Sequence, residues 1–369
     1  MAKKVDFIDY QTQIGLIEKA FPMLQILDET GKVVNPDLMP DLSSEELVEM
    51  FSDMLWARVL NDRFTTLAKQ GRLGFFAPNA GQEASQIASN MAFSRTDFLL
   101  PGYRDIPQLV KHGLPLYKAI LWSRGHVEGN KYPADFMALP PQIIIGAQIV
   151  QATGVGLGIK LNDEKSVAYT YTGDGGSSQG DFYEGINFAG SFNVPVVFYV
   201  QNNGYAISTE RAVQSKAATL AQKSVAAGIL GFYVDGMDPL AVYAVSKYAR
   251  DYALKGNGPV LIETVTSRFG PHSLSGDDPK RYRDLASFEF WDKKDPLIRM
   301  RHYLTELKLW DEKTEVDLVL KYEEEIKEAL AQADQVAPQK VSEFLASMFE
   351  VPTANIAEQI ALFEKKERL

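Results

Sequence analysis

Apolar residues follow two rhythms along this chain. Short, nearly continuous apolar runs at 97–100, 167–172, 194–200 and 260–265 have the length and character of strands buried on both faces. A further short strand ends at Val234-Asp235-Gly236. Between the runs lie stripes at helical spacing. Leu47, Met50, Phe51, Met54 and Leu55 repeat along a stretch that opens on Ser43-Ser44-Glu45-Glu46, a capping-box signal, and reaches Gly71. Phe182, Ile186, Phe188 and Ala189 mark a helix between the second and third runs. Further helices are expected at 83–93, after Gly146, at 217–228 and from Asp238-Pro239. From Asp295-Pro296 onward the chain is helical and charged, with Val316, Val319, Leu320, Ile326 and Leu330 as one face and Glu323-Glu324-Glu325 as a solvated one. Strands alternating with helices predict an α/β fold, a parallel sheet flanked by helices.

Three regions follow from this pattern. Residues 1–42 read as an extended N-terminal arm, with short apolar patches at 21–27 and 33–34. Residues 43–284 carry the α/β alternation. Residues 285–369 form a helical C-terminal region expected to pack on that same domain, with no chemistry visible.

Composition narrows the choices. The 369 residues are 46% hydrophobic and 23% charged, ordinary for a globular protein. No apolar run reaches the roughly eighteen residues of a membrane span. A net charge of −10 argues against nucleic-acid binding. With no cysteine, thiolate catalysis and disulfides are excluded, and four histidines make a multi-histidine zinc site improbable. The opening MAKKVDFIDY lacks the apolar core of a secretory signal, which predicts a cytoplasmic location.

The chemistry concentrates in residues 172–208. The strand 167–172 runs into Gly173-Asp174-Gly175-Gly176, a helix follows, and the strand 194–200 delivers Gln201-Asn202-Asn203. One strand–helix–strand unit places both strand ends at the same sheet edge, so Asp174 and Asn203 should face each other where open α/β sheets bind ligands. A carboxylate, an amide oxygen and nearby carbonyls are the hard oxygen donors that Mg²⁺ accepts, with phosphates completing its shell. Gly175 and Gly176 would let the backbone approach a phosphate. Taken alone, Gly-Asp-Gly is more often a tight turn; the paired asparagine at the next strand end tips the reading to a Mg²⁺–diphosphate site.

Other strand ends add to it. The run 97–100 ends in Pro101-Gly102-Tyr103-Arg104-Asp105, an arginine on a hinged loop suited to phosphate. The run 260–265 leads into a Gly/Pro/Ser-rich loop, 268–278, that carries His272 over the same edge. The stretch 125–141 is a long, turn-rich loop. Gly154, Gly156 and Gly158 lie inside a helical stretch, so close helix packing is preferred there to a dinucleotide fingerprint.

Gly-Asp-Gly followed by the paired asparagine resembles the thiamine diphosphate signature. Together with GYRD, IIIGAQ, GDGGSSQGDFYEGINFA, QNNGYAIS, VDGMDP and RFGPHS in this order, it resembles the alpha subunits of the thiamine diphosphate-dependent 2-oxo acid dehydrogenases, of pyruvate dehydrogenase type, over nearly the whole chain. The resemblance implies oxidative decarboxylation of pyruvate with reductive acetylation of a lipoyl group. The partners it implies are a beta subunit, in a heterotetramer of two alpha and two beta chains, and the lipoyl-bearing dihydrolipoyl acetyltransferase component.

Carried over by motif, Asp174, Asn203 and the Tyr205 carbonyl would ligate Mg²⁺. Tyr103, Arg104, Gly175, Gly176 and Gln179 would hold the diphosphate. Ile143 and Ile145 would meet the aminopyrimidine through their backbones, His272 would assist acetyl transfer, and Tyr282 and Arg283 would belong to a loop that orders around the cofactor. Two departures stand out: Gly204 replaces an arginine common in relatives, and Glu128 stands where some carry a second histidine. Branched-chain 2-oxo acid and acetoin dehydrogenases have similar alpha chains, and a non-catalytic phosphate-binding subunit is the alternative of a different class.

Overall fold

Residues 9–367 are described by a computed structural model. Six strands form one parallel sheet in the order β1-β7-β8-β4-β3-β2. In chain order the strands are β1 (Met23–Leu24), β2 (Phe98–Leu100), β3 (Ala168–Gly173), β4 (Val196–Asn202), β5 (Tyr205–Ala206), β6 (Thr209–Glu210), β7 (Leu230–Asp235) and β8 (Val260–Val265). Strands β5 and β6 make a separate two-stranded antiparallel hairpin.

Both faces of the sheet are covered, which is why its strands read as continuous apolar runs. Alternate residues enter two separate cores. Tyr169, Tyr171, Val197, Tyr199, Val260 and Ile262 face one; Ala168, Val196, Phe198, Val200 and Leu261 face the other. The helix Ser44–Lys69 belongs to the first core and opens with the expected capping box. Ser43 Oγ accepts from Glu46 N, and Glu46 Oε2 accepts from Ser43 N at 2.8 Å. The helices Ala147–Leu161 and Gly180–Phe192 cover the second core. Among the described residues, no helix is long and apolar enough to cross a membrane.

Several expectations need correction. Residues 9–42 are not an extended arm. Residues 1–8 lie outside the described residues, Tyr10–Ala20 is a helix, and β1 adds a sixth strand beside β7. Ile26 and Leu27 are fully buried. Their amides donate to Asp238 Oδ2 at 2.6 and 2.7 Å, while Arg299 Nη1 donates to the Leu27 carbonyl and to Asp235. The segment is thus sewn to the sheet edge by groups more than 200 residues away, a coupling no local pattern reveals.

The stretch 217–228 is helical only over Lys223–Ala227, because the amides of Leu220 and Ala221 donate to Glu263 on β8 instead of entering a helical ladder. The segment 83–93 contains a π-helical turn, Ala84–Ala88, ahead of Ser89–Met91. Gly154 and Gly158 face open space; only Gly156 packs closely, against Val196.

In the helix Glu312–Asp334 the buried face is Tyr322, Ile326, Ala329, Leu330 and Ala333, with Val316 and Leu320 exposed. The glutamate run on that helix is partly engaged. Glu325 accepts from Trp56 Nε1 at 3.1 Å, and Glu323 lies 3.6 Å from Arg63.

The Arg299–Asp235 contact is a buried charge pair, so removing one partner strands the other. Arg299→Met should destabilise the protein by about 3–5 kcal/mol and should expose the 21–34 segment to protease first. A urea midpoint and a proteolysis pattern matching the parent protein would show that the pair does not anchor this segment.

Candidate active site

Parallel strands end at one edge, and four of them end in loops that close a cavity of about 430 Å³. Into it project residues after β2 (Tyr103, Arg104), before the helix Ala147–Leu161 (Ile143, Ile145), after β3 (Asp174, Gly175, Gly176, Gln179), after β4 (Asn203, Tyr205) and after β8 (His272). The metal, diphosphate, aminopyrimidine and acetyl-transfer residues carried over from the sequence all line this one cavity; Tyr282 and Arg283 do not. Glu128, on the 125–141 loop, does not; it pairs with Lys131 and with Lys118 of the helix Leu116–Ser123.

The walls are rigid because amides and a buried carboxylate knit the loops together. Asn203 Nδ2 donates to Gln82 Oε1 at 3.1 Å, Gln82 Nε2 to Gln201 Oε1 at 3.2 Å, and Gln201 Nε2 to Asp105 Oδ1 at 2.7 Å. Asp105 also accepts from Gly102 N and Gln108 Nε2. Burial pushes its pKa up, and the amide donors only partly offset that.

Asp174 differs from Asp105 in one decisive way. The residue is 1% exposed, yet among the described residues Oδ2 has no hydrogen-bond partner. Desolvation raises its pKa to about 6, against the opposing pull of the Asp174 and Asn203 amides and of Arg268 and Arg211. A buried carboxylate oxygen without a donor is expensive unless a cation meets it. Asn203 supplies a neighbouring amide oxygen, which also accepts from Tyr205 N at 3.3 Å. Gly204 between them has φ +83, a left-handed turn that glycine adopts without strain and that an arginine would not. Among the described residues no cluster of three or more His, Cys, Asp or Glu could hold a metal. A cation at Asp174 would therefore need amide or carbonyl oxygens and the ligand's own phosphates, the set that suits Mg²⁺.

Positive charge lies across the cavity. Arg104 is buried, with its guanidinium donating to the Pro78 and His272 carbonyls, the latter at 3.0 Å. Arg268 donates to Ile207 O and Tyr282 OH. Among the described residues neither arginine forms a salt bridge, so both stand ready for an anion. Tyr282 in turn donates to Asp277, and Arg283 lies over the Tyr205 ring at 5.3 Å. His272 sits 3.4 Å from Arg104 Nη2 through Nδ1, and its ring is 6.0 Å from that of Tyr103. Burial, Arg104 and Arg268 lower its pKa to about 4, so the imidazole is neutral at pH 7 in the ligand-free site.

The glycines have a packing reason of their own. A Cβ on Gly176 would lie 2.0 Å from Thr172 Oγ1, and one on Gly175 would lie 2.8 Å from the Ala206 Cβ. Protein packing alone therefore demands them. Sequence reasoning also missed Phe75, Gln82, Gln201 and Arg268, which line the same cavity. Arg268 carried a usable signal, since it follows a strand end as Arg104 does.

The profile of the dehydrogenase E1 component matches residues 52–342. A protein of Bacillus cereus called pyruvate dehydrogenase E1 component subunit alpha is 54% identical over 364 residues, 99% of this chain and 98% of the relative. The Bacillus subtilis (strain 168) protein of the same name is also 54% identical over those shares. The Staphylococcus aureus (strain Mu50) one is 53% identical over 350 residues, 95% of each chain.

The Asp174 carboxyl sets a pH dependence whose sign is fixed. Its folded pKa of about 6 exceeds the ordinary 3.8, so the folded state holds the proton more tightly. The resulting stabilisation is complete below about pH 4 and is lost as pH rises through 6. Asp174→Asn should accordingly stabilise the ligand-free protein above pH 6, by up to about 3 kcal/mol for a two-unit shift, and do little at pH 4. A melting-temperature difference that is flat across this range would contradict the assignment.

Proposed function

The chain belongs to the dehydrogenase E1 component family, and on that footing we propose that it is the alpha subunit of a pyruvate dehydrogenase. It acts as the decarboxylating component that uses thiamine diphosphate and Mg²⁺. One observation carries the reading beyond the names of its relatives. Asp174, whose buried Oδ2 has no hydrogen-bond partner among the described residues, and two arginines that form no salt bridge among them line a single cavity, which fits a metal-bound diphosphate.

In this reading Asp174, Asn203 and the Tyr205 carbonyl hold the metal. Tyr103, Arg104, Gly175, Gly176 and Gln179 hold the diphosphate, and Ile143 and Ile145 meet the aminopyrimidine. When bound, thiamine diphosphate supplies a carbon nucleophile and an electron sink for loss of carbon dioxide from a 2-oxo acid. The protein's part is to orient the diphosphate, exclude water and move protons. His272 cannot store a proton at pH 7 beside two arginines. Phosphate charge held near Arg104 would lift its pKa toward neutrality, making it a proton donor to the lipoyl sulfur.

A cavity open at its rim needs a cover. Ile143, Ile144 and Ile145 are 55, 69 and 39% exposed, and Phe188 and Phe192 are about half exposed on a neighbouring helix. That apolar surface supports a second chain closing the site, a beta subunit in a heterotetramer of two copies of each. The lipoyl-bearing acetyltransferase would then be the acceptor. The division at 43–284 and 285–369 and a cytoplasmic location remain part of the same proposal.

The chain alone should not decarboxylate pyruvate, whereas the complex formed with its co-expressed partner chain should, given thiamine diphosphate and Mg²⁺. Turnover by the purified single chain would defeat the subunit reading. In the complex, His272→Ala should keep decarboxylation with an artificial electron acceptor but lose reductive acetylation by roughly 10²–10⁴-fold. Equal loss in both assays, with weaker cofactor binding, would make His272 a diphosphate ligand instead.

A further inference from the structure

Two side chains outside the cavity grip the turn that follows Asp174. Lys223 is 7% exposed, and its ammonium donates to the Ser177 carbonyl at 2.5 Å and to Ser177 Oγ at 3.0 Å. It also lies over two aromatic rings, 5.4 Å from the centre of Phe182 and 4.9 Å from that of Tyr183. Among the described residues, none of its contacts is a carboxylate. Burying an ammonium without a counter-ion is unfavourable, so its position calls for a reason.

Gln214 supplies a second grip. Its Nε2 donates to the Asp174 carbonyl at 2.6 Å and to Ser178 Oγ at 2.8 Å. Ser177 Oγ donates to that same Asp174 carbonyl at 2.7 Å. These bonds converge on residues 174–178, whose cavity side carries Asp174, Gly175 and Gly176. The segment that bears both residues is itself tied to the sheet. Glu263 on β8 accepts from Leu220 N, Ala221 N and Asn202 Nδ2 at 2.6–2.8 Å.

We propose that Lys223 and Gln214 are positioning residues for anion binding. They latch the 174–178 turn so that the Asp174 carboxylate and the glycine backbone hold the geometry a metal-bound diphosphate requires. Charge-assisted bonds are stronger than neutral ones, and Lys223 adds a buried, weakly screened positive charge behind the turn. The inference rests on the reading of the cavity as a diphosphate site.

The test measures calorimetric affinity of the assembled two-chain enzyme for thiamine diphosphate and for inorganic pyrophosphate, each with Mg²⁺, beside the ligand-free melting temperature. Lys223→Met keeps an unbranched apolar stem against Phe182 and Tyr183 but removes donor and charge. Both affinities should fall together, by roughly 10–100-fold as for outer-shell partners of metal sites. Lys223→Arg should stay close to the parent, and Gln214→Met, which disturbs no charge, should weaken both ligands by a smaller factor. Parent-like affinity in both Lys223→Met and Gln214→Met overturns the inference. So does an equal loss in Lys223→Met and Lys223→Arg, or a lowered melting temperature with affinity unchanged. A parent enzyme that binds neither ligand overturns the diphosphate reading itself, and the inference with it, and is recognised before any variant is compared.

Discussion

A parallel sheet sends all its chain exits to one edge, and the polar groups there must be satisfied away from water. In this protein buried carboxylates do that work. Asp238 takes the amides of Ile26, Leu27, Leu240 and Ala241; Glu263 takes those of Leu220 and Ala221; Asp105 takes Gly102 N and three glutamine side chains. Each ties a loop or a distant segment to the sheet end, and among the described residues none has a lysine or arginine at hydrogen-bond distance. Their charge is balanced by dipoles, which hold position more strictly than a flexible ion pair does.

Asp174 is placed by the same edge but is less fully satisfied. Its neighbours at 105 and 263 sit in nets of N–H groups, while among the described residues its buried Oδ2 has no hydrogen-bond partner. The fold tolerates there the kind of unmet demand it satisfies elsewhere, and functional sites are where such exceptions collect. The arginines mirror this: Arg104 and Arg268 are oriented by loop carbonyls, not by acids. In a chain of net charge −10 the anion-attracting potential is therefore local, made by two guanidinium groups whose counter-charge must come from a ligand.

The same economy links the site to remote parts of the chain. Arg58 bridges Glu83 and Asp295, so the loop that carries Gln82 is braced by the start of the C-terminal helices. Gly81 packs on the Ser267 carbonyl, just before Arg268. The histidine loop and the glutamine loop thus share a wall.

Much of this was legible in the sequence because it depends on local periodicity and on the strand–helix–strand rule. The runs at 167–172, 194–200 and 260–265 had to be buried strands, and a parallel pair had to bring Asp174 and Asn203 to one edge. The capping box at Ser43 and the Arg104 loop are short-range signals of the same kind. What depended on partners far away in sequence was not legible. The segment around Ile26 and Leu27 looked loose because Asp238 and Arg299, which fasten it, lie beyond residue 230. The helix expected at 217–228 shortened because Glu263 competes for its amides, and the stripe on Glu312–Asp334 shifted because packing against Ser44–Lys69 chose its face. Charge state belongs to this second group as well. That Asp174 is raised to about 6 and His272 lowered to about 4 follows from burial and from neighbouring arginines, and only the folded chain brings those together.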